Sequence, residues 1–138
     1  MNYINKYFKY LKNSLIDNYF SIKGRASVNE YRIFISYVFI VGVISVFYGL
    51  EVEDNIFDEN MIVYIGYIFI IAIPLIAITI RRLHDLNFPT GSIFILLIIQ
   101  AFEPVNYEYI GDIIGVGLLL IIKGKDNENE YGNAFKPE

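Results

Sequence analysis

Two runs of apolar residues constrain this chain more than any other feature. From Tyr31 to Leu50 it reads YRIFISYVFIVGVISVFYGL, with Arg32 its single charge; from Met61 to Ile80 it reads MIVYIGYIFIIAIPLIAITI, with none. At ~1.5 Å rise per residue, a helix of either length reaches ~30 Å, the thickness of a bilayer's hydrocarbon core. A soluble amphipathic helix carries a polar stripe along one side, and neither run has one. Both are expected to cross a membrane. Composition agrees: hydrophobic residues make up 55% and charged residues 19%, which excludes disorder, collagen and coiled coil. Cysteine is absent, so disulfide frameworks, thiol nucleophiles and cysteine-ligated metal centres are excluded.

The C-terminal half holds two shorter apolar stretches, SIFILLIIQAF from Ser92 and IGDIIGVGLLLII from Ile110, separated by EPVNYEY. Fused into one span they would place Glu103, Pro104, Asn106 and Glu108 near mid-membrane, which costs several kcal/mol for the charges. The reading adopted is two short helices, 90–104 and 108–123, joined by a tight outer turn. A re-entrant hairpin and a single interrupted span are the alternatives.

Basic residues then set the orientation. Segment 1–30 carries Lys6, Lys9, Lys12, Lys23 and Arg25, the connection 51–60 none, 81–90 Arg81 and Arg82, 103–109 none, and the tail Lys123, Lys125 and Lys136. That alternation requires four spans with both termini in the cytoplasm. The net charge of −4 hides a separation. Every Lys and Arg falls on the cytoplasmic side, while Glu51, Glu53, Asp54, Asp58, Glu59, Glu103, Glu108 and Asp112 fall outside.

Before the first span, Ile4, Phe8, Leu11 and Leu15 recur at helical spacing among lysines. This predicts an amphipathic surface helix over 1–22, lying in the cytoplasmic interface. No continuous apolar core or small-residue cleavage site marks a signal peptide. The tail 124–138 is polar and expected to be loosely ordered. The expected fold is therefore all-α: an integral membrane four-helix bundle with two long spans (31–50, 61–80) and two short ones, preceded by the surface helix, in one domain.

Two motifs concentrate polar chemistry. In GRASVNEY (24–31), Ser27 and Glu30 have capping-box spacing, with the Ser27 hydroxyl accepting from the Glu30 amide and the Glu30 carboxylate reaching back to Ser27 N–H. Gly24 permits the turn into the span. In RRLHD (81–85), Asp85 lies one helical turn from both Arg81 and Arg82, and Asn87, Pro89 and Gly91 end the helix and turn the chain. The plain reading is a helix start, membrane-anchoring arginines and a cap. The functional reading gathers Arg25, Glu30, Arg81, Arg82, His84 and Asp85 into one cytoplasmic-interface cluster that binds lipid phosphate or a partner. A single His with no Cys makes a poor metal site, and no metal or cofactor is expected. Inside the spans, Pro74 kinks the second helix, Ser45-xxx-Gly49 and Gly111-xxx-Gly115 allow close helix approach, and Asp112 is the acid nearest membrane depth.

These motifs, with Asn129-Glu130-Tyr131-Gly132 at the end, resemble a family of small bacterial inner-membrane proteins, domain of unknown function 805. The resemblance covers nearly the whole chain: G-R-A-S-x-x-E-[YFW], R-R-L-H-D and N-x-Y-G in that order. It departs at Val28, where a basic residue is usual, in LNFPTG after R-R-L-H-D, and in lacking tryptophan. It implies a bacterial inner-membrane location, four spans and cytoplasmic termini, and it brings no activity.

Three functions compete. The first is a non-enzymatic scaffold or accessory protein binding anionic lipid headgroups, a second copy of itself or another membrane protein, with no nucleic acid. The second is an oligomeric small-solute transporter or channel, which would draw on Asp112, Gln100, Ser36, Ser45 and Thr79 to line a pore. The third is an interfacial enzyme using His84 as general base and the arginines as a phosphate clamp.

Overall fold

The computed structural model describes residues 3–47, 59–101, 110–124, 127–134 and 136. Among them the chain is all-helical, with two isolated backbone bridges and no strand. Five helices follow in order: α1 (Tyr3–Lys12), α2 (Val28–Phe47), α3 (Glu59–Asp85), α4 (Ser92–Ala101) and α5 (Ile110–Ile121). The last turn of α1 widens into a π-helical stretch, Asn13–Asp17. The surface helix is thus confined to the first part of the expected 1–22.

α2 packs against α3 and α5, and α4 against α3 and α5, so these four close into a ring, with α1 laid against α2. The core is concentrated at one end. Ala26, just before α2, and Tyr31 and Phe34 from its start meet Ile78 and Leu83 from the end of α3 and Leu119 from the end of α5. Leu15, from the π-helical turn, packs against the same cluster.

Towards the middle of the helices the surface is apolar. Phe39, Ile40 and Ile44 of α2, Phe69 and Ile70 of α3, Phe94 and Ile98 of α4, and Leu118 and Ile121 of α5 are all exposed. Among the described residues one stretch, Val28–Ser45, is long and apolar enough to cross a membrane, and 17% of it is buried within the fold. α3 contains the second expected span and continues through Arg81–Asp85. The connection 51–58, the turn 102–109, Gly49, and the side chains of Gln100 and Asp112 lie outside the described residues.

Pro74 sits inside α3 and is fully buried. Proline has no N–H, so it cannot donate to the carbonyl one turn back, that of Ile70. The Tyr19 hydroxyl donates to that carbonyl instead, at 2.9 Å. A side chain from the segment between α1 and α2 thereby repairs the backbone of α3. The helix ends as the sequence suggests. Asn87 adopts φ 68°, and the Asn87 and Phe88 amides donate back to the His84 and Leu83 carbonyls at 3.0 and 2.9 Å. That is a Schellman closure with asparagine in the left-handed position.

The tail departs from expectation. Residues 127–134 fold back on the bundle, with Arg25 bridged to Ala134 and Asn129 to Gly132. Polar composition suggested a loose segment; side-chain bonds to other parts of the fold hold it instead.

Tyr19→Phe should lower the unfolding free energy in detergent by about 0.5–1.5 kcal/mol, the net value of one hydrogen bond. In a Pro74→Ala background, where the backbone N–H returns, the same substitution should cost much less. Equal costs in both backgrounds would sever the link between tyrosine and proline.

Candidate functional site

The end of the molecule that holds the core also holds a dense polar cluster. Arg25, Glu30, Arg81, Arg82, His84 and Asp85 are all buried there, none more than 3% exposed. All six residues singled out in the sequence come together, from two segments more than fifty positions apart.

Asp85 is the hub. Its Oδ1 accepts from Nε and Nη2 of Arg25 at 3.1 and 2.8 Å. Its Oδ2 accepts from Nη1 of Arg82. One carboxylate therefore stands between two guanidiniums, with a different oxygen given to each. The remaining donors reach backbone. Arg25 Nη1 donates to the carbonyls of Asn127 and Gly132, at 2.7 and 3.0 Å. Arg82 Nε donates to Leu119 O at 2.9 Å and its Nη2 to Ile122 O. These are carbonyls at the C-terminal end of α5, which have no intrahelical donor and carry the negative end of the helix dipole. Burial pulls the Arg82 guanidinium down from its ordinary value, and the adjoining Asp85 carboxylate acts against that shift.

Arg81 turns the other way. Its Nη1 donates to Oε1 of Glu30 at 3.1 Å, and the same oxygen accepts from Asn13 Nδ2 and Ser14 Oγ, both at 2.9 Å. The Arg81 carbonyl accepts the Ala26 amide at 3.0 Å. The helical spacing allowed Asp85 to pair with either arginine; it pairs with Arg82, while Arg81 joins α3 to α2 and the π-helical turn. The capping box is half formed. Ser27 Oγ accepts the Glu30 amide at 3.3 Å, but the Glu30 Oε1 goes to Asn13, Ser14 and Arg81. Glu30 Oε2 and Arg81 Nε and Nη2 have no hydrogen-bond partner among the described residues.

His84 is clamped between neighbours. Nδ1 lies 3.0 Å from the Gly24 carbonyl and Nε2 lies 2.9 Å from Thr90 Oγ1. A carbonyl only accepts, so Nδ1 carries the proton, and in the neutral ring Nε2 accepts from the threonine hydroxyl. The ring stacks on Tyr131, with centroids 3.9 Å apart and planes 4° from parallel. The Tyr131 hydroxyl is pushed up from its ordinary value, chiefly by its hydrogen bond with Glu130. Asn129 Nδ2 donates to the His84 carbonyl at 2.8 Å, and Asn129 Oδ1 accepts the Tyr131 amide, forming the turn that presents the ring.

Two glycines shape the approach. Gly24 has φ 81°, the left-handed turn that delivers Arg25 to the cluster. A Cβ on Gly124 would overlap the Asp85 carboxylate, so only glycine lets the chain pass there. Reading the sequence alone missed Asn13, Ser14, Thr90, Asn127 and Gly124 as members of this arrangement. Their backbone or short polar side chains carry no spacing signal across such distances.

Chemically the cluster is a lock. Both oxygens of Asp85 and both ring nitrogens of His84 are engaged, and no group of three or more His, Cys, Asp or Glu arranged for a metal occurs among the described residues. Asp85→Asn should lower stability by about 3–5 kcal/mol in detergent unfolding, because it leaves two buried guanidiniums without their shared carboxylate. Lys12→Ala, whose pair with Asp17 is solvent-exposed, should change it by about 0–1 kcal/mol. Similar losses for both would deny the buried cluster its structural role.

No curated protein and no solved structure matches the chain. One family model does, across residues 19–133, from the segment before Gly24 through the Asn129–Gly132 turn. It covers Arg25, Glu30, Arg81, Arg82, His84 and Asp85, and the chain belongs to that family, the proteins of unknown function DUF805.

Proposed function

We propose that this protein is a non-enzymatic scaffold or accessory protein of the bacterial inner membrane, with four spans and both termini in the cytoplasm. Its cluster of Arg25, Glu30, Arg81, Arg82, His84 and Asp85 locks the surface helix and the C-terminal segment onto the bundle. The basic face so assembled meets anionic lipid headgroups or a membrane protein partner, including a second copy of the chain.

One observation carries this reading: the molecule is inside out for water. Its buried set includes five side chains joined by ion-pair contacts, Arg25 and Arg82 with Asp85 and Arg81 with Glu30, while large apolar side chains of α2, α3, α4 and α5 are exposed. A soluble domain of this size hides its Phe and Ile and leaves its Arg and Glu outside. A membrane accounts for the exposed apolar belt. α1 and the π-helical turn after it fit the same picture, with Tyr10, Asn13 and Ser14 buried and Ile4 and Phe8 exposed.

The channel reading draws less support. Ser36, Ser45 and Thr79 donate to the carbonyls of Arg32, Val41 and Leu75 in their own helices. Those hydroxyls serve the backbone rather than a solute path. The enzyme reading needs a histidine lone pair that Thr90 occupies.

A cysteine-free chain allows a direct topology test. Asn55→Cys should react with an impermeant thiol reagent in intact cells, and Glu128→Cys only after the membrane is opened. Labelling of Asn55→Cys solely from the cytoplasmic side would overturn the orientation.

A further inference from the structure

Outside the lock, α2 and α5 form an apolar groove with a cation at its end. Its volume is about 660 Å³, within the ~300–1,000 Å³ of ligand sites in general. Ile35, Phe39 and Ile40 of α2 make one wall, and Leu120 and Ile121 of α5 the other. Arg32 and Ser36 complete it, and no acidic side chain lines it. The Ser36 hydroxyl donates to the Arg32 carbonyl, so the charged character of the groove comes from Arg32. From Arg32 to Ile40 the helix rises ~12 Å at ~1.5 Å per residue. Phe39, Ile40 and Ile121 are exposed, which leaves the groove open sideways along the helices.

Arg32 differs from the other three arginines. Arg25, Arg81 and Arg82 are buried and paired with Asp85 or Glu30, whereas Arg32 is exposed. Its Nε donates to Leu120 O at 2.7 Å, a carbonyl in the last turn of α5, and this ties the guanidinium to both walls. Its Nη1 and Nη2 have no hydrogen-bond partner among the described residues. Those donors form a fork that matches the oxygens of a phosphate. An arginine that only snorkels to water needs no such fixing to a second helix.

We infer that this groove binds an anionic phospholipid of the cytoplasmic leaflet, with the phosphate on Arg32 and an acyl chain along Ile35, Phe39, Ile40 and Ile121. The two halves of the site specify an amphiphile. A soluble phosphate would leave the apolar walls uncovered, and a bare hydrocarbon chain would leave the guanidinium without its counter-charge. Net charge selects among lipids. With a cation and no acid in the lining, an anionic headgroup is attracted, whereas a zwitterionic one brings its own cation towards Arg32. The inference deepens the proposed function and rests on its membrane reading.

The chain has no tryptophan, so one introduced indole reports on its own surroundings. Phe39→Trp places it in the groove, and Phe94→Trp places it on the exposed face of α4, outside the groove. Each full-length variant is reconstituted in phosphatidylcholine nanodiscs containing phosphatidylglycerol or phosphatidylcholine with brominated acyl chains, which quench indole on contact. Phosphatidylglycerol should half-quench Phe39→Trp at a mole fraction at least about fivefold lower than phosphatidylcholine does, the scale of one basic side chain against anionic lipid. Phe94→Trp should be quenched equally by the two. Adding Arg32→Gln to Phe39→Trp should abolish the preference, and adding Lys12→Gln, the same charge loss on α1, should leave it. Unfolding midpoints check that each variant is folded; if Arg32→Gln is not, the comparison of the two reporters with Arg32 in place decides. Equal quenching of Phe39→Trp by both lipids, the same preference at both reporters, or a preference that survives Arg32→Gln overturns the site. In those cases quenching of both reporters leaves the membrane reading standing and the groove alone is lost. If no brominated lipid quenches either reporter, the proposed function falls with it.

Discussion

The carboxylate of Asp85, held between Arg25 and Arg82, is the interaction on which the rest of the structure depends. Through Arg25 it fixes the segment before α2 and, by that guanidinium's other donors, the carbonyls of Asn127 and Gly132. Through Arg82 it fixes α3 to the end of α5. Four separate parts of the chain meet at one acid. Two guanidiniums and a carboxylate out of water carry desolvation penalties of several kcal/mol each, and removing the carboxylate leaves both guanidiniums without their counter-charge.

Location explains why so many charges are buried at one end. Away from that end the exposed side chains described on α2, α3, α4 and α5 are largely apolar, and a polar group there finds few partners. The end where α2 begins and α3 and α5 finish is where backbone groups are left over, and the arginines use them. Arg82 closes the last carbonyls of α5, Asn129 binds the His84 carbonyl, and Tyr19 serves the carbonyl that Pro74 leaves without a donor. In each case a side chain from elsewhere completes a helix that cannot complete itself. The π-helical turn after α1 and the segment 127–134 are thereby built into the fold.

Much of this was legible where the signal is local. The apolar runs, the asparagine stop after α3, the Ser27 cap and the one-turn spacing of Arg82 and Asp85 all follow from rules that act within a few residues. That the six cluster residues share one site followed from the expectation that their two motifs lie at the same end of the helices. What escaped the sequence were the choices between equally spaced partners. Arg81 and Arg82 are both within reach of Asp85, and only the position of Glu30, brought across by the packing of α2 on α3, sends Arg81 elsewhere. The C-terminal segment misled for a related reason. Its composition is that of a solvated tail, whereas Asn129, Tyr131 and Gly132 act through a turn, a ring stack and a carbonyl, none of which composition reports.

The central claim is that Arg25 and Asp85 are energetically one unit. A double-mutant cycle with Arg25→Ala and Asp85→Ala, read by equilibrium unfolding in detergent, measures that directly. Neighbours sharing a buried network should show a coupling of about 1–3 kcal/mol, with the double variant less destabilised than the two single losses added together. Losses that add to within about 0.5 kcal/mol would mean that the two side chains act independently, and that Asp85 is not the hub of this fold.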